Sequence, residues 1–408
     1  MVSIVDSDDA RGLLGVLGTA AGRDDPYPLY ARLREIGAVV RGADGGLVVT
    51  RYEDCEAVVR DPRCGRASVE QLVAFGFPSL SDHPSLRLVF DNLVAMNPPG
   101  HTRLRRLVSG AFTARRVSEL RPAIVEMVDG LLDRMSGEAE VDFIDAFAFP
   151  LPVTVIGELL GIPEADRAQF QDLIRDLTLV MEGISPEAIA TADRAAVVII
   201  DYFTDLVERR RRVPGADLIS ALVAARDDEA ALSDDEVVGL AALLMLGGFE
   251  TTTHLLGNGL QALLEHPDQM AALRKRPDLA ASAVEELLRF DAPIQLVGRV
   301  VQQPTEIAGI PLPAGERLVA YFGAGNRDPR RFPTPDRLAL DRSGTTPLTF
   351  GGGIHYCLGA PLARLEAQIA FPALLNRFPT LEAAGRPQRR DSLSIRGYLR
   401  QPITTSNN

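Results

Sequence analysis

The chain has no tryptophan and only three cysteines among its 408 residues. Cys55, Cys64 and Cys357 form no CxxC pair and no framework spacing. That excludes a disulfide scaffold and a cysteine-ligated zinc site, and it fits a reducing compartment. Positive charge is also short: 43 Lys and Arg against 55 Asp and Glu leave a net charge of −12 and a pI near 5.1. Such a balance argues against a nucleic-acid binder. The N-terminus opens on an acidic run instead of a basic segment followed by an apolar one, so it is not read as a secretory leader. No uninterrupted apolar run of about 18 residues is found, so no membrane span is expected, and a cytoplasmic location is. Repeats, low-complexity tracts and linker-like segments are lacking too. One large domain, 1–408, is therefore expected, with residues 1–25 as a mobile N-terminus, and the 46% of hydrophobic residues are ample for its core.

What the chain does have is the stretch Phe350-Gly351-Gly352-Gly353-Ile354-His355-Tyr356-Cys357-Leu358-Gly359. Three glycines in a row make a loop able to take unusual backbone angles. Residues 360–370 then show helical composition, with Pro361 suited to a first turn. Cys357 is thereby placed at the mouth of a helix N-terminus, where unpaired N–H groups and the helix dipole favour a thiolate. No Lys follows the glycines as a phosphate loop requires. His355 stands where a nucleophile elbow needs glycine. Three readings stay open on these residues: an axial thiolate to haem iron, which needs only one cysteine, a buried structural cysteine, and a cysteine nucleophile.

Taken in order, Pro28 to Gly37 reads as a short helix, Ala38 to Thr50 as a hairpin, and Tyr52 to Arg60 as a helix. Pro62 to Pro99 has poor periodicity and reads as a binding loop or an ordinary surface excursion. His101 and Arg105 are one turn apart on a helix and share a face that can hold an anion. Helices follow at Val117 to Met135, Val153 to Leu160, Glu164 to Leu179 and Pro186 to Arg212. The longest pattern, Asp234 to Glu265, is capped by Ser233 and would run about 48 Å. Its centre carries Gly247, Gly248, Glu250, Thr251, Thr252 and Thr253, all costly in an apolar helix interior. That combination predicts a groove for a ligand, the plain alternative being a kink tolerated for packing. Ala280 to Phe290 is a helix with Glu286 and Arg289 three apart. Short strands are expected at 294–301, 305–310 and 317–321, with a last hairpin over 392–403.

Together these motifs resemble the cytochrome P-450 haem-thiolate monooxygenases of the soluble bacterial kind, from about Pro26 to Ile403. Phe350, Gly353, Cys357 and Gly359 fit the pattern FxxGxxxCxG, and Glu286 and Arg289 fit ExxR. The resemblance implies the P-450 fold, mainly α with small β-sheets, with haem b held between the long helix and the cysteine loop. It makes Cys357 the axial ligand, the glycines (Gly351 and Gly359 among those binding cofactor) the means of close approach to haem, and His101, Arg105, Arg299 and His355 the propionate partners. Arg337 is implied as the second arginine on Glu286. Glu250 and Thr251 become the acid and alcohol that deliver protons during O2 activation; Phe249 stands where many bacterial relatives carry His.

The implied activity is hydroxylation or epoxidation of a sizeable apolar molecule, a specialised metabolite such as a polyketide, macrolide, terpenoid or peptide. Coupling, desaturation or ring formation by the same oxidant is the alternative; a non-catalytic haem sensor is a further one, against which Glu250 and Thr251 weigh. Leu93, Val94, Leu243, Leu246, Gly247, Ile294, Gln295, Leu296 and Tyr398 are expected to line the pocket. Electrons are expected from a ferredoxin and its NAD(P)H-dependent reductase, docking at Arg103, Arg106 and Arg364. The protein is expected to be a monomer.

Overall fold

The computed structural model describes residues 3–182, 184–225 and 231–406. Local signals set most helix bounds. The Glu236 amide donates to the Ser233 hydroxyl at 3.2 Å while the Ser233 amide donates to the Glu236 carboxylate at 2.9 Å. This reciprocal cap starts the central helix Asp234–Glu265, which runs for 32 residues without a break. The Ser185 hydroxyl caps Pro186–Arg212 by accepting the Ala188 amide at 3.2 Å, and four arginines at its end complement the dipole. The helix expected over 117–135 instead divides into Ala114–Glu119 and Arg121–Met135. Pro122 lacks the N–H that would continue the ladder, and the chain breaks just before it.

The chain divides into two compact units, Met1–Gly65 with Val128–Phe149 and Thr251–Asn408, and Arg66–Met127 with Pro150–Glu250. Neither is contiguous, and two of the crossings fall inside helices, so no linker composition marks a boundary.

The first unit is built on a five-stranded sheet in the order Val39–Arg41, Leu47–Val49, Arg317–Tyr321, Leu296–Val301, Cys64–Gly65. Leu47–Val49 pairs in parallel with Arg317–Tyr321, and the other neighbours are antiparallel. Strand alternation sends Val39, Leu47, Val49, Leu318 and Ala320 into one core with Tyr52, Val58, Phe322 and Leu348. It sends Val40, Val48 and Tyr321 into another, with Ala10, Leu13, Leu17, Tyr30 and Leu33. That second core corrects the expectation of a mobile N-terminus. Helix Asp8–Leu17 is capped by Ser7, and Ala10, Leu13 and Leu17 form a buried stripe along it. Val5 also bridges to Val40. Asp8 and Asp9 lie in that helix's first turn, where the dipole favours them.

In the second unit the segment after Pro62 is not a loop. It holds the helices Val69–Ala74 and Pro84–Phe90, and Leu80 and Leu86 pack against Val180, Ile189 and Ala192. Helices of six or seven residues are too short to show a period. Among the described residues, the central helix alone is long and apolar enough to cross a membrane, which the sequence reading did not foresee. Of its apolar window, 61% is buried inside the fold, as suits a core helix.

Candidate active site

The cysteine loop is made by backbone geometry. Gly351 and Gly353 take φ of +71° and +61°, the left-handed region that glycine alone enters readily. The Cys357 amide donates to the Phe350 carbonyl at 2.9 Å and closes the loop. Helix Ala360–Arg377 then starts, with the Leu362 and Ala363 amides donating to the Gly359 carbonyl at 3.0 Å. A Cβ at Gly353 would stand 2.6 Å from the Val59 carbonyl oxygen, and one at Gly352 would stand 2.9 Å from the Val59 side chain. These two glycines therefore allow close packing on helix Tyr52–Arg60. At Gly351 and Gly359 no atom would come within 3.9 Å of an added Cβ.

The three cysteines separate by environment. Burial pushes the Cys55 thiol well up, and it donates to the Val49 carbonyl at 3.3 Å. Burial pushes Cys64 up to about 11. Cys357 is the exposed one, at the start of a helix. Of the three, it has the setting that favours a thiolate.

Beneath the loop lies an ion network centred on the fully buried pair Glu286 and Arg289. Arg289 donates to the two oxygens of Glu286 at 2.7 and 2.8 Å, and to the Asn326 and Pro335 carbonyls at 2.9 and 2.8 Å. The second arginine is Arg342, whose Nε donates to both Glu286 oxygens at 3.1 Å. Arg337 was expected there, but it contributes a backbone carbonyl, which accepts from Arg342 at 3.0 Å. Both stand in an irregular polar segment, where no period tells which side chain turns inward. The sequence reading also missed Asn326 and Thr349. The Asn326 side chain accepts the Leu348 amide at 2.8 Å and donates to Thr349 at 3.2 Å, and Thr349 donates to the Leu288 carbonyl at 2.8 Å. The network thus reaches the residue before Phe350.

Arg364 is a brace as well. It pairs with both oxygens of Glu285, donates to the Tyr356 hydroxyl at 3.0 Å, and stacks 4.4 Å from the Phe350 ring centre. The bond to Glu285 pushes its pKa up, ahead of burial, which works the other way. Arg103 pairs with Glu236. Two of the three arginines expected to dock a partner are thus engaged within the fold; Arg106 is exposed and lines a cavity of about 530 Å³ with Arg115 and Arg116, which holds none of the expected pocket residues.

On the central helix Glu250 is buried and Thr251 half-buried, followed by buried Thr252, Thr253 and His254. The helix is α-helical from Asp234 to Glu265. Its two glycines do different things. A Cβ on Gly248 would meet Ile156 at 2.9 Å, whereas one on Gly247 would meet nothing within 4 Å. Among the other expected pocket residues in the second unit, Leu243 and Leu246 are half-buried, Leu93 is buried and Val94 exposed. Phe249 is buried.

In the first unit Ile294 and Leu296 are half-buried. Gln295, between them, faces the other way: it accepts from the Tyr30 hydroxyl at 3.1 Å and donates to the Ala292 carbonyl at 2.7 Å. Tyr398 is 2% exposed, with the Arg389 guanidinium 4.4 Å over its ring. Both are tied into packing. His254 was not singled out from the sequence. It is buried with neither ring nitrogen hydrogen-bonded, and its Nδ1 occupies the place of a Cβ at Gly397.

Of the four expected anion partners, Arg299 and His101 are buried. Burial pushes the Arg299 guanidinium down to about 10. Among the described residues no carboxylate lies within ion-pair distance of it, and it donates to the adjacent Gly298 carbonyl at 2.9 Å. A buried cation in that state calls for an anion from outside the chain. His101 is also buried, and burial, then Arg105 and Arg66, hold its imidazole below the usual range. Arg105 and His355 are half-buried. An exposed cysteine at a helix start and a buried guanidinium without a carboxylate fit a haem with its propionates.

Residues 90–404 match the family model for cytochrome P450. The chain belongs to the cytochrome P450 family. This P450 is 41% identical over 390 residues to cytochrome P450 107B1 of Saccharopolyspora erythraea, covering 93% of this chain and 95% of that one. It is 41% identical over 391 residues to the 6-deoxyerythronolide B hydroxylase of the same organism, covering 93% and 96%. Its fold matches P450BioI, solved in complex with an acyl carrier protein ligated to hexadec-9Z-enoic acid, at a TM-score of 0.89 and 35% identity, over 95% of this chain and 99% of that one. This P450 is accordingly a haem-thiolate monooxygenase that uses O2 and draws electrons from redox partners.

Proposed function

We propose that this P450 hydroxylates or epoxidises a sizeable apolar specialised metabolite, with Cys357 as the iron ligand and electrons from a ferredoxin and its reductase. The observation that carries the ligand assignment is the setting of Cys357: exposed at a helix start, on a loop braced by the buried pair Glu286 and Arg289 and by Arg342. The 41% identity to a hydroxylase of 6-deoxyerythronolide B supports the substrate class. Haem, when bound, supplies the one-electron and O2 chemistry, and a thiolate ligand favours O–O cleavage.

The chain's own residues do the rest. Arg299 holds a propionate by charge, and His355, His101 and Arg105 add donors. Thr251 holds a water by its hydroxyl, and Glu250, one residue before it, passes protons to that water. Leu243, Leu246, Ile294 and Leu296 offer apolar surface to the substrate, and Gly247 brings no side chain. The test is Cys357→His in haem-loaded protein. It should lose the thiolate-type absorption of the ferrous CO complex and form no oxygenated product; survival of that absorption would sink the assignment.

A further inference from the structure

Helix Pro84–Phe90 has seven residues, too few to hold its own shape, so its seat depends on the packing of Leu86 against Ile189 and Ala192 and on what fixes its ends. Its N-cap residue is His83, whose side chain makes no cap bond of its own. The missing cap comes from another helix. Asp193, on Pro186–Arg212, accepts the Ser85 amide at 3.0 Å and the Ser85 hydroxyl at 2.6 Å on one oxygen, and His83 Nδ1 at 2.8 Å on the other. Both carboxylate oxygens are thereby used, at a helix N-terminus where negative charge is favoured. Ser85 is fully buried, so its hydroxyl has no access to water in exchange.

The far end of the helix is tied in turn to the next residues. The Asn92 side chain donates to the Leu88 and Val89 carbonyls at 2.7 and 3.0 Å and accepts the Val94 amide at 2.9 Å. The Ala95 and Met96 amides donate to the Asn92 carbonyl at 2.9 and 3.0 Å. Side-chain caps from Asp193 and Asn92 thus hold both ends of one short helix, and backbone bonds to the Asn92 carbonyl carry the tie on to Met96. Phe90 stacks edge-on against Phe77 at 5.3 Å.

We propose that Asp193 is a positioning residue for substrate selection: it caps helix Pro84–Phe90 from a different helix and so sets where Leu93 and Val94 stand. The proposal rests on reading Leu93 and Val94 as pocket residues. Asp193 itself touches neither substrate nor cofactor. It acts by denying the short helix any other seat, so that the pocket wall keeps one shape.

The test uses haem-loaded enzyme and two azoles that ligate iron through the same kind of nitrogen, imidazole and the bulky clotrimazole. In Asp193→Ala, amide hydrogen exchange over 85–96 should rise at least about fivefold, as expected for a lost cap, with exchange in the central helix unchanged. Clotrimazole affinity should fall by a similar factor relative to imidazole. Ser85→Ala, a milder change that keeps the amide bond, should move both readouts the same way if Asp193→Ala does not fold, and Asp193→Asn should restore part of the protection. Unchanged exchange over 85–96 overturns the proposal. Faster exchange with an unaltered ratio of azole affinities overturns it too, because Leu93 and Val94 then do not shape the pocket. Failure of the wild type to bind imidazole at all would instead sink the haem reading, which the exchange measurement does not depend on.

Discussion

Arg342 and Arg337 stand five residues apart and hold different things. Arg342 places a guanidinium on a carboxylate that is 0% exposed, while Arg337 lends only a carbonyl. Removing one partner of a buried ion pair leaves the other charge poorly compensated, at a cost of about 3 kcal/mol. Arg342→Ala should therefore lower stability by roughly that amount, and Arg337→Ala by under about 0.5 kcal/mol, in urea unfolding of the haem-loaded protein. Equal losses would return the role to Arg337. His254 gives a second test at this scale. Burial first, then Arg390, pushes its imidazole down to about 3. Between about pH 6.5 and that value the unfolded chain binds a proton that the folded chain does not. Stability contributed by His254 is thus fully present above pH 6.5 and is lost as pH falls toward about 3, by roughly 1.4 kcal/mol per pH unit. His254→Phe keeps a ring against Gly397 and should show a shallower fall from pH 6.5 to 4.5 than the wild type, measured by urea midpoints. Parallel pH curves would show that His254 is solvated.

Among the elements, the central helix shows how one sequence signal can hide two causes. Both Gly247 and Gly248 weaken a helix by about 1 kcal/mol relative to alanine. Only Gly248 has a packing reason, since Ile156 on helix Pro150–Leu160 lies where its Cβ would be. Gly247→Ala should stabilise the protein by about 1 kcal/mol while narrowing the space beside the helix. Gly248→Ala should be net destabilising by about 1 kcal/mol, as an overpacked contact outweighs propensity, and Ile156→Val should relieve it. Thermal unfolding of the two alanine variants and the double variant checks all three signs. From the sequence the two glycines look alike, because propensity is a property of the residue and crowding is a property of its neighbours.

For the whole molecule, the decisive fact is that neither unit is contiguous. Residues 128–149 belong to the first unit, where strand Glu140–Asp142 pairs with Pro402–Ser406 and the Phe143 amide donates to the Gln401 carbonyl at 2.9 Å. Fragment 66–250 would carry that segment without its partner strand and leave Phe143 and Phe147, both 0% exposed in the fold, without their cover. It should aggregate, and gel filtration of the fragment would show this; a monodisperse monomer would mean that the fragment folds alone. The sequence by itself determined what is encoded within a few residues. It set the caps and bounds of Asp234–Glu265 and Pro186–Arg212, the glycine-permitted angles of the cysteine loop, and the family, because the motifs for these are local and ordered. Only the tertiary structure decided what depends on approach across the fold. It put Arg342 on Glu286, tied Gln295 to Tyr30, buried Tyr398, engaged Arg364 with Glu285 and packed residues 8–17 against the sheet. Spacing along a chain states which side chains share a face, but a hydrogen bond is made or lost within a few tenths of an ångström, and that distance is set by elements hundreds of residues away.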